Sequence, residues 1–265
     1  MPHPTAPHPV TPPKVGVLLS NLGTPDAPTY PAVRRYLAEF LSDPRVIDLP
    51  RWLWLPLLHG LLLQIIPFKS AKNYAKVWSA QHGSPLRHLT QAQAAQLQKK
   101  LGNQAVVAWG MRYGNPSLTS ALDQLKAQGC QQIIHLPLYP QYAGATTASN
   151  VDAVNRILAT WRHQPAITHL GSYHDHPGYI AAIAGQLKQT LKNLPWQPQK
   201  IIFSYHGLPE RYWHNGDPYP CQCFKTTRLV TSALKLPTEQ TITTFQSRFG
   251  KAKWVEPYTE ATLTN

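Results

Sequence analysis

The chain has 265 residues, enough for two domains of roughly 100–150 residues or one large one, with ample length for a buried core. Charged residues make up 14% against about 25% in an average soluble protein, and 26 prolines are about twice the usual share, so short elements joined by rigid turns are expected. The formal net charge of +13, from 25 Lys and Arg against 12 Asp and Glu, would attract nucleic acid, anionic lipid or a substrate bearing carboxylates. The basic residues are dispersed, without a long run and without interleaved aromatics, which sets nucleic acid aside. Three cysteines, Cys130, Cys221 and Cys223, exclude a disulfide framework and fit a reducing cytoplasm. Cys221 and Cys223 form a Cys-x-Cys pair with no second pair elsewhere, so a structural reading is preferred to a metal site.

Residues 1–13 are rich in proline and histidine and carry no apolar core or cleavage signature, so they read as a disordered lead-in and not a signal peptide. Residues 15–19 are an apolar strand ending in Ser20-Asn21-Leu22-Gly23-Thr24-Pro25, a glycine and proline turn. A helix over 31–41 follows. The segment 52–68 breaks the rhythm, because only His59 and Gln64 are clearly polar while Pro56, Gly60 and Pro67 interrupt it. It reads as too short and too punctuated to span a bilayer, where about 20 apolar residues are needed. An exposed apolar lip is preferred to a core helix, with Arg51, Lys69 and Lys72 suited to an anionic lipid surface.

A strand at 105–109, a helix at 116–128 beginning with proline and a strand at 132–138 come next. The alternation continues through 146–161, 166–170, 177–191, 200–204, 225–236 and 241–245. Strands alternating with helices give an α/β fold with a parallel sheet covered on both faces. A boundary near His163-Gln164-Pro165 divides the chain into a first domain over 14–165 and a second over 166–265, each with the makings of a doubly wound unit.

The chemistry concentrates at strand ends, where open α/β sheets place ligands. His206 sits there, in Ser204-Tyr205-His206-Gly207-Leu208-Pro209-Glu210 directly after the apolar run 201–203. A histidine titrates near neutral pH without tuning, and its neutral ring is a common ligand for transition metals. Arg112 and Tyr113, in Gly110-Met111-Arg112-Tyr113-Gly114, follow the 105–109 strand and are placed to offer a guanidinium to a carboxylate and a ring face or hydroxyl to a ligand. Neither a P-loop nor a Gly-x-Gly-x-x-Gly turn after a strand is present. His174 and His176 flank Asp175 ahead of a helix, where a cap by Asp175 is preferred to a metal pair.

These motifs, with Gly216-Asp217-Pro218-Tyr219-Pro220, Phe245-Gln246-Ser247-Arg248-Phe249-Gly250 and Trp254-Val255-Glu256-Pro257-Tyr258-Thr259, resemble the ferrochelatases of proteobacterial type, in order and from about Lys14 to the last residue. The resemblance implies two Rossmann-like doubly wound domains with a porphyrin cleft between them, and insertion of ferrous iron into a porphyrin, protoporphyrin IX, in haem biosynthesis. It implies iron as substrate with no cofactor, His206 as catalytic base and metal ligand, and Arg112, Tyr113, Tyr139, Trp254 and Asn21 as porphyrin-binding residues. Tyr139 lies in Leu138-Tyr139-Pro140-Gln141-Tyr142, which resembles the family's Pro-Gln-Tyr-Ser segment, although Ala143 and Gly144 replace the usual serine neighbourhood. The resemblance also implies that 52–68 forms the mouth of the cleft and touches the membrane as a peripheral contact, and that a glutamate partnering His206 lies in a further strand and helices after the Trp254–Thr259 segment, beyond Asn265. Impaired activity of this chain is therefore expected. Two alternatives stay open: a porphyrin- or metal-binding module without turnover, and a cobalt chelatase of the same fold.

Overall fold

A computed structural model describes residues 12–248, 250 and 252–264. Residues 1–11 of the lead-in over 1–13, and Phe249 of the Phe245–Gly250 motif, lie outside the described residues. The chain forms two compact units, 1–138 with 149–170 and 139–148 with 171–265.

The first unit is built on four parallel strands, β1 (Lys14–Thr24), β2 (Ala105–Gly114), β3 (Cys130–Pro137) and β4 (Ala166–His169), in the order β2-β1-β3-β4. Its helices are α1 (Tyr30–Leu41), α2 (Arg51–Leu57), α3 (Leu63–Val77), α4 (Pro85–Leu101), α5 (Leu118–Ala127) and α6 (Ser149–Leu158). Strand alternation sends Leu18, Ala108 and Ile133 to one face, where they pack with Leu122 and Leu125 of α5 and Val154 and Leu158 of α6. Val17, Leu19 and Val107 point the other way, against Ala94 and Leu97 of α4. Both faces are thus covered, as a parallel sheet requires.

Two expectations are corrected here. β4 pairs with β3 from Gln132↔Ala166 to His135↔His169, so residues 166–170 belong to the first unit and not to a second domain beginning at 166. In addition β1 and β2 run well past the apolar cores at 15–19 and 105–109, because they stay in register to Thr24↔Gly114. Gly23 permits this: its φ is +113°, and a Cβ there would lie 1.8 Å from the Tyr113 carbonyl oxygen.

The segment 52–68 is also corrected. Pro56, Gly60 and Pro67 do not interrupt it, because a π-helical turn over Leu58–Leu62 joins α2 to α3 in one helix from Arg51 to Val77, which by length and composition is long and apolar enough to cross a membrane. One face is core: Trp54, Leu58, Leu63 and Ala71 pack with Val33, Tyr36 and Leu37 of α1 and with Tyr113. The other carries Trp52, 79% exposed, with Leu53, Leu57, Leu61, Ile65 and Phe68 also exposed.

The second unit contains α7 (Pro177–Asn193), β5 (Ile201–His206), α8 (Glu210–His214), α9 (Tyr219–Ala233), β6 (Thr241–Gln246) and α10 (Thr259–Thr264). β5 and β6 are parallel and in register from Ile201↔Thr241 to His206↔Gln246. Ile180 and Ala184 of α7 meet Val230 of α9, with Phe203 of β5 beside them, and Cys223 of α9 meets Phe245 of β6. The N-cap of α7 is His176, whose Nδ1 accepts from the Gly178 amide at 3.1 Å, and not Asp175, which pairs with Lys225 at 2.6 Å.

Candidate active site at the ends of β5 and β6

His206 ends β5 with its side chain exposed. Its Nδ1 lies 2.7 Å from the Gly207 carbonyl oxygen, which can only accept, so the ring proton sits on Nδ1 and the neutral imidazole keeps its lone pair on Nε2. The next residue has to be small. The Gly207 amide donates to the Gln246 carbonyl at 2.8 Å, and a Cβ would come within 3.1 Å of that oxygen and of Trp254. Val255 then donates to Leu208 and Glu210 to Lys253, so the loop after His206 is laced to the Trp254 segment.

Trp254 is buried, 8% exposed, with its ring centroid 6.5 Å from that of His206. The indole backs the histidine. A cavity of about 570 Å³ opens beside the end of β6, lined by Gln246, Ser247, Arg248, Tyr258 and neighbours. Ser247 has φ +69°, a left-handed conformation that costs a non-glycine residue energy and clusters at functional sites. The Arg248 guanidinium lies over the Tyr258 ring at 4.6 Å.

Arg112 and Tyr113 occupy a different kind of place. The Tyr113 hydroxyl donates to Asp43 Oδ2 at 2.8 Å and its side chain is 1% exposed, so it presents no ring face. Arg112 pairs with Asp43, donates from Nε to the Ser149 carbonyl oxygen at 3.0 Å and hydroxyl at 2.7 Å, and lies over the Tyr113 ring. Ser149 Oγ donates to the same carboxylate at 2.6 Å, and the Arg45 amide to its other oxygen at 2.8 Å. Burial alone would raise the Asp43 pKa, yet the hydrogen bonds from Ser149, the Arg45 amide and Tyr113 and the Arg112 charge hold it below the usual carboxylate value. Burial pushes the Tyr113 hydroxyl up. Both side chains, expected as porphyrin contacts, thus turn toward a buried carboxylate and Ser149.

Asn21 fastens β1 to α4, donating to Thr90 Oγ1 at 3.0 Å while its Oδ1 accepts from the Leu22 amide. Tyr139 is half-buried in the second unit. Of the expected residues the structure brings together His206 with Trp254, and Arg112 with Tyr113. Asp43 and Ser149 were missed, since their partners lie 69 and 106 residues apart in the chain; the one local signal is a polar residue before proline, Asp43-Pro44, just past a helix end. No group of three or more His, Cys, Asp or Glu that could hold a metal is found among the described residues. Cys221 is exposed and Cys223 buried, both free thiols.

The ferrochelatase family model matches residues 14–265. The chain belongs to the ferrochelatase family. It is 52% identical over 253 residues to ferrochelatase 2 of Shewanella oneidensis, covering 94% of this chain and 77% of that one. With the ferrochelatase of Methylibium petroleiphilum it shares 52% over 254 residues, covering 94% and 69%, and with that of Bordetella pertussis 49% over 264 residues, covering 97% and 71%. SirB from Bacillus subtilis, solved with Fe3+, superposes with a TM-score of 0.53 at 11% identity, covering 95% of this chain and 70% of that one, a likeness of fold alone. As a ferrochelatase the protein is a lyase of haem biosynthesis, with a porphyrin and ferrous iron as its substrates.

Proposed function

We propose that His206 is the group through which this ferrochelatase exchanges protons for iron. Metallation replaces two pyrrole protons by one ferrous ion, so the site needs a lone pair that can take a proton or hold the metal. The Nε2 lone pair of His206 meets that need, and the observation that carries the reading is the bond from Nδ1–H to the Gly207 carbonyl, which fixes the tautomer and leaves Nε2 on an exposed strand end. Trp254 and Gly207 hold the ring's surroundings rigid. Iron enters as substrate, and the chemistry asks for no resident cofactor. His206→Ala should lower iron insertion by about 10²–10⁴-fold while a Soret titration gives a porphyrin dissociation constant within a few-fold of the parent. Near-normal turnover in the variant would remove His206 from the reaction.

The exposed row from Trp52 to Phe68 supports a second statement, that the protein rests on a membrane surface through this face. An apolar stripe of this kind is unusual for a water-exposed helix, and Arg51, Lys69 and Lys72 border it.

A further inference from the structure

Between β3 and α6 the chain forms a strap over 139–148 that goes with the second unit, although it leaves and re-enters elements of the first. Two side chains hold it by its backbone: the Tyr142 amide donates to Gln222 Oε1 at 2.7 Å, and the Gly144 amide to Asp217 Oδ2 at 2.7 Å. The other oxygen of Asp217 accepts from the Tyr219 amide at 3.0 Å at the start of α9, and its own amide donates to Tyr212 of α8, the helix that follows the His206 loop. Asp217 therefore joins the strap and α9 through its carboxylate, and the chain running back to His206 through its backbone amide. The strap contains a π-helical turn over Gly144–Ala148, a feature frequent at functional sites, and Thr147 within it is fully buried with no hydrogen-bond partner for its hydroxyl among the described residues. It starts beyond the carboxyl end of β3, and strand ends of that kind are where α/β sheets take ligands.

We infer that Asp217, assisted by Gln222, is a positioning residue for porphyrin: it fixes the strap in one frame with the His206 loop, so that the macrocycle meets a preformed wall. The inference rests on the reading of His206 as the reacting group at this end of the unit. Asp217 accepts two backbone bonds with its two oxygens, whereas asparagine offers one acceptor, so Asp217→Asn removes one bond at nearly constant volume. The test combines amide hydrogen exchange with a Soret titration by protoporphyrin IX on the full chain. In Asp217→Asn, exchange over 142–148 should rise at least about 10-fold while 201–206 stays protected, and the porphyrin dissociation constant should rise by about 10-fold, a loss of roughly 1.4 kcal/mol. Turnover at saturating porphyrin should change by less than about 3-fold, since the reacting group is untouched. Faster exchange with unchanged affinity would take the strap out of the porphyrin site, and unchanged exchange would show that Asp217 does not hold it. If Asp217→Asn loses its cooperative melt, Gln222→Ala, which removes only the Tyr142 contact, is read by the same two measurements. His206→Ala should move turnover alone, so a failure of the His206 reading leaves the exchange and affinity results standing on their own.

Discussion

Arg112 and His206 both lie near the carboxyl ends of parallel strands, but their surroundings are opposite. Every observed bond of Arg112 runs inward, to Asp43 and Ser149, and the pair is nearly closed to solvent, with side-chain exposures of 15% and 3%. His206 has one nitrogen fixed by its own loop and a side chain that stays exposed. A polar group satisfied by protein is part of the framework. A polar group oriented by protein but left open is available for chemistry.

The sharpest way to break this contrast is to remove Asp43. Asp43→Ala leaves the Arg112 charge buried without its partner and should cost about 3–5 kcal/mol of stability in urea denaturation. The double variant Asp43→Ala/Arg112→Met, with neither charge, should recover part of that loss. A destabilisation below about 1 kcal/mol for the single variant would mean the cluster is not framework.

Acid offers a smaller effect with a defined sign. Burial, with His169 beside it, pushes His135 down from 6.5 to about 3, and its ring bonds to Ser20 at 2.8 Å and to His169 at 2.8 Å. The unfolded chain binds the proton more readily, so stability is full above about pH 6.5 and falls as pH drops toward 3, by about 2 kcal/mol at pH 5. Asp43, held below its usual value, adds a further loss only as pH falls below about 4, through its folded pKa. His135→Asn should flatten the first slope and leave the second; an unchanged slope between pH 6.5 and 5 would remove His135 as its source.

The smallest stability effect belongs to the exposed apolar row. Replacing Trp52, Leu57, Leu61 and Ile65 by serine should change stability by less than about 1 kcal/mol, since surface changes away from the core are nearly neutral, yet should abolish binding to vesicles containing anionic lipid. Trp54 has to be spared, because it is 6% exposed and its indole donates to the Leu41 carbonyl at 2.7 Å. Loss of the cooperative melt would place the row in the core.

The strand and helix alternation was legible because apolar runs and turn residues mark it locally, and His206 because its motif follows such a run. The reach of β1 and β2 was not, since register between two strands, and not the run of apolar side chains, carries them to Thr24 and Gly114. Prolines at 56 and 67 misled for a similar reason: a π-helical turn and packing on α1 sustain a helix that local rules would break. The Asp43 cluster and the Asp217 clasp join residues far apart in the chain, and no periodicity encodes such bonds.

The contrast between the two polar sites is tested most directly by measuring iron insertion per folded molecule in His206→Ala and in Arg112→Met, with porphyrin affinity from the same titration. The expected result is a loss of about 10²–10⁴-fold for His206→Ala at nearly unchanged affinity, and a rate within a few-fold of the parent for Arg112→Met once its lower stability is allowed for. The contradicting result is a folded Arg112→Met protein that loses as much turnover as His206→Ala, or a His206→Ala protein that still inserts iron at the parent rate.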